Sequence, residues 1–515
     1  MRTMYKIVIV LIALLVTSFA LMYFIYVGYD QIGSEIAKEW CSERNLNVSN
    51  DALCIDELNS MHSIISQSLT LALFFLVIAL TVISMEWRTG AAILAAMPLL
   101  ILGIVPPQYL INAVSWDLIL FLIGSMVLSG ILRELGVFRY LALRIVEVSR
   151  SNTVILLVLI SLMAFILSAV LGEVTSIIYV TMLILEIGAI IHLDVTPLII
   201  LSVLATNTGS VALPIGNPIG VYLLFRTDMS VTQFIRNSFP LAIIDLVVLL
   251  IAIMLVEKSI VRELRKRLEK SKHRIEAYIT RHRIELSSNN VANHMPKRVL
   301  LGLIILSLFI LTVALNDFIV EALTNIFKTY IEPHAFLSFI PYIYIVVTLI
   351  TAIPLSEVSK FVERSVEWPS LLFFIFLFMF GYMLTYTGVM AKLAYAFSRL
   401  STAPIALLSI MLFSSSLLSS ILDNLSVIVA FTPIAMTFNS IGLVNSSIYF
   451  ALLFGGVFGG NYTPVGSTAN IIAVSLAEKR KIKISWGKWL KIALITTTLQ
   501  ILIALAWLYI ISYVL

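Results

Sequence analysis

Two stretches of the chain place glycine, proline, hydroxyl and amide residues in the middle of otherwise apolar segments. The clearer one is 452–479, which is apolar at both ends. Glycine and proline disfavour a continuous helix, and unpaired backbone groups are costly in hydrocarbon. The pattern therefore predicts two half-helices joined by an unwound segment, an arrangement that forms the substrate and ion site in transporters. A kinked helix with a small-residue packing face is the alternative.

The side chains in these centres are neutral hydrogen-bonding groups. No Lys or Arg lies in either centre, so half-helix N-termini, hydroxyls and amides would hold an anion there. The same oxygens could ligate Na⁺, so the residue types do not choose between an anion and a cation. The predicted binding residues are Asn207, Thr208, Gly209, Ser210, Gly216 and Asn217 in the first centre, and Gly460, Asn461, Thr463, Gly466, Ser467, Thr468 and Asn470 in the second.

Four carboxylates fall within apolar segments, where a charge is expensive and an ionisable group is a functional hypothesis by default. Glu186 and Asp245 lie in plain apolar helices and are predicted to be interhelical hydrogen-bond partners. Glu173 and Asp423 are the preferred proton or sodium sites, with a carboxylate that caps a half-helix as the alternative. The residues predicted to share these sites are Thr175 beside Glu173, Asn424 and Ser426 beside Asp423, and Asn461 as a further Na⁺ ligand.

Motifs for enzymatic chemistry are absent from the sequence. It has no Walker A, HExxH or GxSxG pattern, and its six histidines show no metal-ligand spacing. The chain itself is therefore not predicted to hydrolyse ATP, although an ATPase on a partner chain stays open. No cofactor is expected beyond a coupling ion, Na⁺ or H⁺.

The elements that must position these residues are membrane helices. The chain has 515 residues, 60% of them hydrophobic and 12% charged, with a mean hydropathy of +1.03. Two apolar stretches, 153–191 and 403–440, are each interrupted by a short polar segment in the middle and are predicted to be re-entrant hairpins. We predict an all-α polytopic fold of about 11 transmembrane helices plus these two hairpins. The predicted spans are 6–27, 64–85, 89–105, 116–133, 197–226, 238–256, 299–318, 337–354, 369–388, 447–477 and 487–514.

The distribution of basic residues predicts the topology. The 257–298 segment carries twelve Lys/Arg against five Glu, which between membrane spans indicates a cytoplasmic loop. Nucleic acid is therefore not an expected partner, and the loop either lies on anionic lipid or is solvated. The prediction is a plasma-membrane protein with a cytoplasmic N-terminus and an outside C-terminus. Hairpins that crossed fully as two spans each would leave this topology unchanged.

The only two cysteines lie in the polar segment 30–63, which also carries a glycosylation sequon at 47–49. In a loop outside the cell, an isolated pair predicts one disulfide, Cys41–Cys54. Two free thiols are the alternative.

The chain also contains an internal repeat. Trp116 pairs with Trp368 and Gly136 with Gly388, both at a shift of 252 residues. The polar centres of the hairpins follow at a shift of 251 and the broken helices at a shift of 250. On the span count, the two copies face opposite ways, which predicts an inverted-topology repeat with its site at the midplane. The predicted organisation is an extra helix and loop at 1–63, a first repeat at 64–256, a basic linker at 257–298 and a second repeat at 299–515.

The motifs resemble a known superfamily. The sequences 422–426, 459–470 and 484–486 in the second half, with 205–209 and 215–218 in the first, resemble the arsenite permeases and sodium–proton antiporters (ArsB/NhaD). That superfamily includes citrate and dicarboxylate carriers and the melanosomal P protein. The resemblance implies a scaffold domain, a transport domain with both hairpins, an elevator-type movement and commonly a homodimer. The first hairpin departs from the family by reading Gly172-Glu173 where Asp-Asn is usual.

The resulting functional prediction is a secondary active transporter. It would move a small anion, oxyanion or carboxylate across the bilayer, coupled to H⁺ or Na⁺ by alternating access. A Na⁺/H⁺ antiporter of the same superfamily is the first alternative, and an ion channel is the alternative from another class.

Overall fold

The computed structural model describes residues 2–44, 51–84, 87–149, 152–277, 280, 297–351 and 354–513. The predicted sequon at 47–49 and much of the C-terminal part of the basic linker lie outside these residues. Within them the chain is helical and forms no strand. The predicted all-α polytopic fold is confirmed.

The fold is built of α-helices along both halves of the chain. Those of the first half are α1 Arg2–Phe24, α2 Gln31–Glu43, α3 Asp51–Asn59, α4 Met61–Ile83, α5 Arg88–Ile101, α6 Pro107–Ala113, α7 Trp116–Glu134, α8 Val137–Ser149, α9 Thr153–Leu171, α10 Glu173–Ile191, α11 Thr196–Ser210, α12 Pro218–Arg226, α13 Val231–Val256 and α14 Lys258–Lys270. Those of the second half are α15 Lys297–Ala314, α16 Asn316–Phe327, α17 Pro333–Thr351, α18 Val358–Ser365, α19 Trp368–Thr387, α20 Val389–Ser398, α21 Pro404–Ser419, α22 Asn424–Ser440, α23 Ser447–Gly459, α24 Thr468–Lys479 and α25 Trp486–Ser512.

Nine helices of the described residues are long and apolar enough to cross a membrane. They include both arms of the first hairpin, α9 and α10, which have 19 residues each. Such an arm is about 28 Å long, close to the thickness of the hydrocarbon core. The arms of the second hairpin are shorter, with 16 and 17 residues. The re-entrant path of the hairpins and the total number of membrane crossings therefore stay predictions.

Corresponding turns in the two halves have the same backbone conformation. Gly136 follows α7 with φ +81°, and Gly388 follows α19 with φ +90°. This left-handed region is open to glycine and disfavours residues with a Cβ. Trp116 and Trp368 each open the helix that precedes such a turn. The aligned residues thus begin and end the same structural element in both copies.

The described residues form two compact units that do not follow the two halves of the chain. The first unit contains Met1–Ser115, Trp368–Gly456 and Leu505–Leu515, and the second contains Trp116–Glu367 and Val457–Ala504. The first hairpin belongs to the second unit, and the second hairpin belongs to the first unit. Each unit therefore combines segments of both repeats, whose sequence boundaries remain a prediction.

The additional N-terminal segment is integrated into the first unit by specific polar contacts. Cys41 and Cys54 form a disulfide between α2 and α3, with their Cα atoms 6.1 Å apart. Trp40 Nε1 donates to the Tyr386 carbonyl at 3.1 Å, and Lys392 Nζ donates to the Met22 carbonyl at 2.7 Å. These bonds attach the segment to the end of α19 and to α20. Closing a loop of this length by a disulfide stabilises a fold by about 3 kcal/mol.

Candidate functional site

Both predicted breaks occur where glycine and proline interrupt the apolar segments. In the first, α11 ends at Ser210, a 3₁₀ turn covers Pro214–Gly216, and α12 begins at Pro218. In the second, α23 ends at Gly459, a 3₁₀ turn covers Gly460–Tyr462, and α24 begins at Thr468. The polar residues of the sequence analysis lie at these breaks.

In the second unit, a network of side-chain amides joins α11 to the unwound segment of the second break. Asn207 Nδ2 on α11 donates to Asn461 Oδ1 at 2.6 Å and to Asn470 Oδ1 at 3.0 Å. Asn461 Nδ2 donates to Gln500 Oε1 at 3.4 Å, and Gln500 Nε2 donates to Thr208 Oγ1 at 2.7 Å. We call the set the amide network; its members are Asn207, Thr208, Asn461, Ser467, Asn470 and Gln500.

The amide network is closed and buried. Its members are at most 1% exposed, and Ser467 Oγ lies 3.4 Å from Asn207 Oδ1. Asn470 Nδ2 donates to the carbonyls of Gly460 at 2.9 Å and Thr463 at 2.8 Å, which fixes the unwound segment of the second break. Every buried side-chain nitrogen and oxygen of the amide network has a hydrogen-bond partner within the described residues. Removing one member would leave buried partners unsatisfied, at about 1–3 kcal/mol for each.

A separate set of bonds fixes the first break. Asn217 Nδ2 donates to Ser210 O and Ser210 Oγ, both at 2.9 Å, and the Gly220 N–H donates to Asn217 Oδ1 at 2.6 Å. Asn217 thereby caps α12 and holds the end of α11 at the same time. The predicted residues Ser210 and Asn217 thus have a structural function that does not require a ligand.

Exposure differs between the two breaks. The first break is buried throughout, from Val211 to Asn217. In the second, Thr463 and Thr468 are partly exposed, and Val465 is 42% exposed. Solute could therefore reach the amide network from the side of the second break, where the partly exposed hydroxyls lie.

The first hairpin packs closely on the first break. A Cβ built on Gly209 would lie 2.2 Å from the carbonyl oxygen of Phe165 on α9, and one built on Gly216 would lie 2.4 Å from Ser210 O. Both glycines, predicted as binding residues, are therefore required by backbone packing. A Cβ built on Gly172, between the hairpin arms, would lie 4.0 Å from Gly216 O, so the hairpin tip adjoins the break.

The residues of that hairpin tip are partly exposed. Glu173 opens α10 and, like Thr175, is neither buried nor fully exposed. Ser129 Oγ donates to Thr175 Oγ1 at 3.3 Å, and Ser176 Oγ donates to Ala164 O at 2.8 Å. The tip thus brings a carboxylate and a hydroxyl close to the first break, as a proton or cation site there would require.

An ion pair in the second unit joins the start of α25 to the loop before α11. Lys488 Nζ, at the start of α25, lies 2.7 Å from Asp194 Oδ2, in the loop before α11. Partial burial raises the pKa of Asp194, but hydrogen bonds from Lys488 and Thr196 outweigh this effect, so the pKa lies below its usual value. Asp194 is therefore a charged anchor rather than a proton carrier near neutral pH.

In the first unit, Asp423 has the geometry of a helix cap. Its Oδ2 accepts from Ser426 N at 3.3 Å and from Ser426 Oγ at 3.2 Å, at the start of α22. Ser419 Oγ lies 2.5 Å from Asn424 Oδ1 and 2.6 Å from Gly456 O. Arg88 is the cation that acts electrostatically on Asp423. The contacts favour the capping alternative of the sequence analysis.

We expect Asp423→Asn to keep the fold and the ion dependence of transport, because Asn caps helices as well as Asp does. Asp423→Ala removes the cap and should cost about 1 kcal/mol of stability. Thermal unfolding in detergent and ion-gradient-driven uptake, measured for both variants, check this. Loss of ion dependence in both variants would instead make the Asp423 charge a coupling-ion site.

Sequence reasoning missed two residues of the site. Gln500 completes the amide network, and Trp489 Nε1 donates to Asn461 O at 3.0 Å. The signal for Gln500 is that it is an amide side chain within an apolar span, the same signal that identified Asn207. Trp489, at the start of α25, carries no comparable signal, because tryptophan is common at membrane interfaces.

Metal ligation is not apparent among the carboxylates. The described residues contain no group of three His, Cys, Asp or Glu side chains that could hold a metal ion. Of the predicted Na⁺ ligands, Asp423 and Asn424 belong to the first unit and Asn461 to the second. A sodium site therefore stays a prediction.

Comparisons with known proteins identify the family. A family model described as "Citrate transporter" matches residues 81–455. The chain belongs to this family. An uncharacterized transporter of Mycobacterium tuberculosis is 25% identical over 412 residues, which cover 78% of this chain and 88% of that protein. The human P protein is 24% identical over 466 residues, covering 78% of this chain and 55% of its own.

The family match and the P protein confirm the superfamily resemblance of the motifs. The YdaH transporter of Alcanivorax borkumensis, a solved structure, has a TM-score of 0.46 at 13% identity, covering 78% of this chain and 86% of that chain. Citrate transporter family members are multi-pass membrane transporters, and this chain is one by family and by its apolar helices. Assignment to a transporter family agrees with the prediction that the protein is not an enzyme.

Proposed function

We propose that this protein is a secondary active transporter of small carboxylates or related anions, coupled to an ion gradient. The observation that carries the proposal is the amide network, which links the two broken helices at their breaks. Broken helices that meet through their unwound segments are the substrate sites of secondary transporters. The family description, which names citrate, supports a carboxylate as the cargo.

The half-helix N-termini at the two breaks favour an anion as the bound solute. The segments 196–225 and 447–477, which hold both breaks and most of their half-helices, contain no acidic or basic residue. The charged residues of these half-helices, Arg226, Glu478 and Lys479, lie at the helix ends away from the breaks. Helix N-termini at Pro218 and Thr468 supply positive partial charge, and Thr463 and Thr468 supply hydroxyl donors. A carboxylate could bind at the second break without displacing a counter-charge.

Transport would require the breaks to open to each side of the membrane in turn. Since the amide network is saturated by its own members, substrate either binds beside it at the partly exposed hydroxyls or replaces some of its bonds. Movement of one unit as an elevator and assembly as a homodimer in the plasma membrane, with the C-terminus outside, are part of this proposal.

Uptake by the purified protein in proteoliposomes tests the proposed function. Labelled citrate, succinate, arsenite and phosphate are supplied with an inward H⁺ gradient, an inward Na⁺ gradient or neither. We expect saturable uptake of at least one carboxylate that depends on one of the ion gradients and does not require ATP. Empty liposomes are the control.

Two other outcomes would replace the proposal. Exchange of Na⁺ for H⁺ with no uptake of any anion would identify a Na⁺/H⁺ antiporter. Non-saturating flux that follows the electrochemical gradient of the permeant ion would identify a channel.

A further inference from the structure

One carboxyl in the second unit is buried and receives no hydrogen bond from the described part of the chain. Asp245 lies in the middle of α13 and is 0% exposed. Neither of its carboxylate oxygens has a hydrogen-bond partner within the described residues. One turn away along α13 it is flanked by the buried residues Leu241, Ala242 and Leu249. The interhelical hydrogen bond that the sequence predicted for Asp245 is absent from the described part of the chain.

Asp245 lies on a helix that runs along the candidate site. Near its start, Phe234 closely approaches Gly220 of α12: a Cβ there would lie 3.2 Å from the Phe234 ring. Near its end, Ile253 lines a small cavity with Leu157 of α9 and with Leu201 of α11. Asp245 is eleven residues from Phe234 and eight from Ile253, or about 16 and 12 Å along the helix. Measured along the axis of α13, Asp245 therefore lies between the level of the first break and the level of the start of α11.

The elements packed against α13 offer Asp245 no counter-charge. Helices α9 and α11 and the 3₁₀ turn Pro214–Gly216 contain no ionisable residue. None of the charged residues on α13 or on its other neighbours acts electrostatically on Asp245. These residues are Arg236 on α13, Glu257 (paired with Lys491) between α13 and α14, Lys258, Arg262, Glu263, Arg265, Lys266, Arg267, Glu269 and Lys270 on α14, Lys297 and Arg298 on α15, and Asp317 and Glu321 on α16. Arg236, the nearest along α13, is nine residues away and exposed.

A carboxylate cannot remain ionised in such surroundings at an acceptable cost. An isolated charge moved from water into an apolar interior costs far more than any single hydrogen bond returns. A buried carboxyl must therefore be paired, cation-bound or protonated, and the described residues offer Asp245 neither a cation nor a donor. Asp423 differs, because two hydrogen bonds from Ser426 stabilise its charge.

We propose that Asp245 carries the coupling proton of the transporter. The inference rests on the proposed function and specifies its driving ion. In the conformation described here, the carboxyl is protonated. When α13 moves and opens the Asp245 carboxyl to water on one side of the membrane, the O–H bond breaks and the proton passes to water. The carboxylate then stays hydrated until it binds a proton again. No other reactant is involved.

Measuring citrate exchange and proton-driven citrate accumulation separately tests this inference. In proteoliposomes, exchange of labelled for unlabelled citrate needs no net proton movement, whereas accumulation against a gradient does. We expect Asp245→Asn to exchange at close to the wild-type rate and to lose proton-driven accumulation by about tenfold or more. The matched control is Asp228→Asn, which makes the same change at an exposed carboxylate and should retain both activities. Wild-type accumulation in Asp245→Asn, or loss of exchange together with accumulation in a folded variant, would overturn the inference.

A second measurement uses the wild-type protein and is independent of transport. A hydrophobic carbodiimide reacts with protonated carboxyls in apolar surroundings and leaves an N-acylurea adduct, which mass spectrometry locates. We expect an adduct at Asp245 and none at Asp228 or Asp194. An unmodified Asp245 under conditions that modify other buried carboxyls would contradict the inference. If the wild type neither exchanges nor accumulates any carboxylate, the proposed function fails, while the adduct still decides whether Asp245 is protonated.

Discussion

Asn207→Ala is expected to reduce the initial rate of gradient-driven uptake by at least about tenfold. The substitution removes two donated hydrogen bonds and leaves Asn461 Oδ1 and Asn470 Oδ1 buried without that donor. Each unsatisfied group costs about 1–3 kcal/mol, which the second break can recover only by changing its conformation. Because the substitution acts on both broken helices at once, it should affect transport more than loss of any other single amide. Uptake in proteoliposomes and thermal unfolding in detergent measure the two effects.

The matched control is Asn316→Ala. Asn316 is also fully buried in the second unit, and its Nδ2 donates to Pro333 O at 3.3 Å, outside the amide network. This variant should lose some stability and keep transport. Asn207→Ala with wild-type uptake would show that the amide network is only a packing device.

Gly209→Ala is expected to destabilise the fold by about 3 kcal/mol, at the upper end of the usual cost of overpacking. The added Cβ would lie 2.2 Å from Phe165 O and 2.5 Å from Phe165 Cα, both backbone atoms, so α11 would have to move away from α9. Such a shift displaces Asn207 and Thr208 on the same helix, and transport should fall together with stability. Thermal unfolding and the yield of monodisperse protein in detergent measure the loss.

Gly487→Ala provides the control, since a Cβ there meets no atom within 4 Å and the residue lies in helix α25. Alanine should be neutral or should stabilise the helix by up to about 1 kcal/mol. A Gly209→Ala protein as stable as wild type would mean that the close approach of α9 and α11 is not needed, and that Gly209 serves substrate binding alone.

Local chemistry was enough to predict the elements that form the site. Glycine and proline act on the backbone of their own segment, so 452–479 indicated a broken helix without any knowledge of its neighbours. The left-handed turns at Gly136 and Gly388 and the cap formed by Asp423 on Ser426 also depend on residues within a few positions. The Cys41–Cys54 disulfide could also be predicted from the sequence, because the chain has no other cysteine with which either one could pair.

The tertiary structure alone decided which of these residues meet. Asn207 bonds residues 254 and 263 positions away, and Gln500 joins the network from a span that sequence patterns class as plain apolar helix. A sequence pattern marks Asp245 as a carboxyl in a helix but does not show whether a donor on another helix will reach it. That outcome depends on how α9, α11 and α13 pack, because helix rotation and axial offset are set by many side chains together. Residue type thus determined which groups could hold a solute or a proton. Helix packing determined which of these groups bond to one another and which have no partner within the described residues.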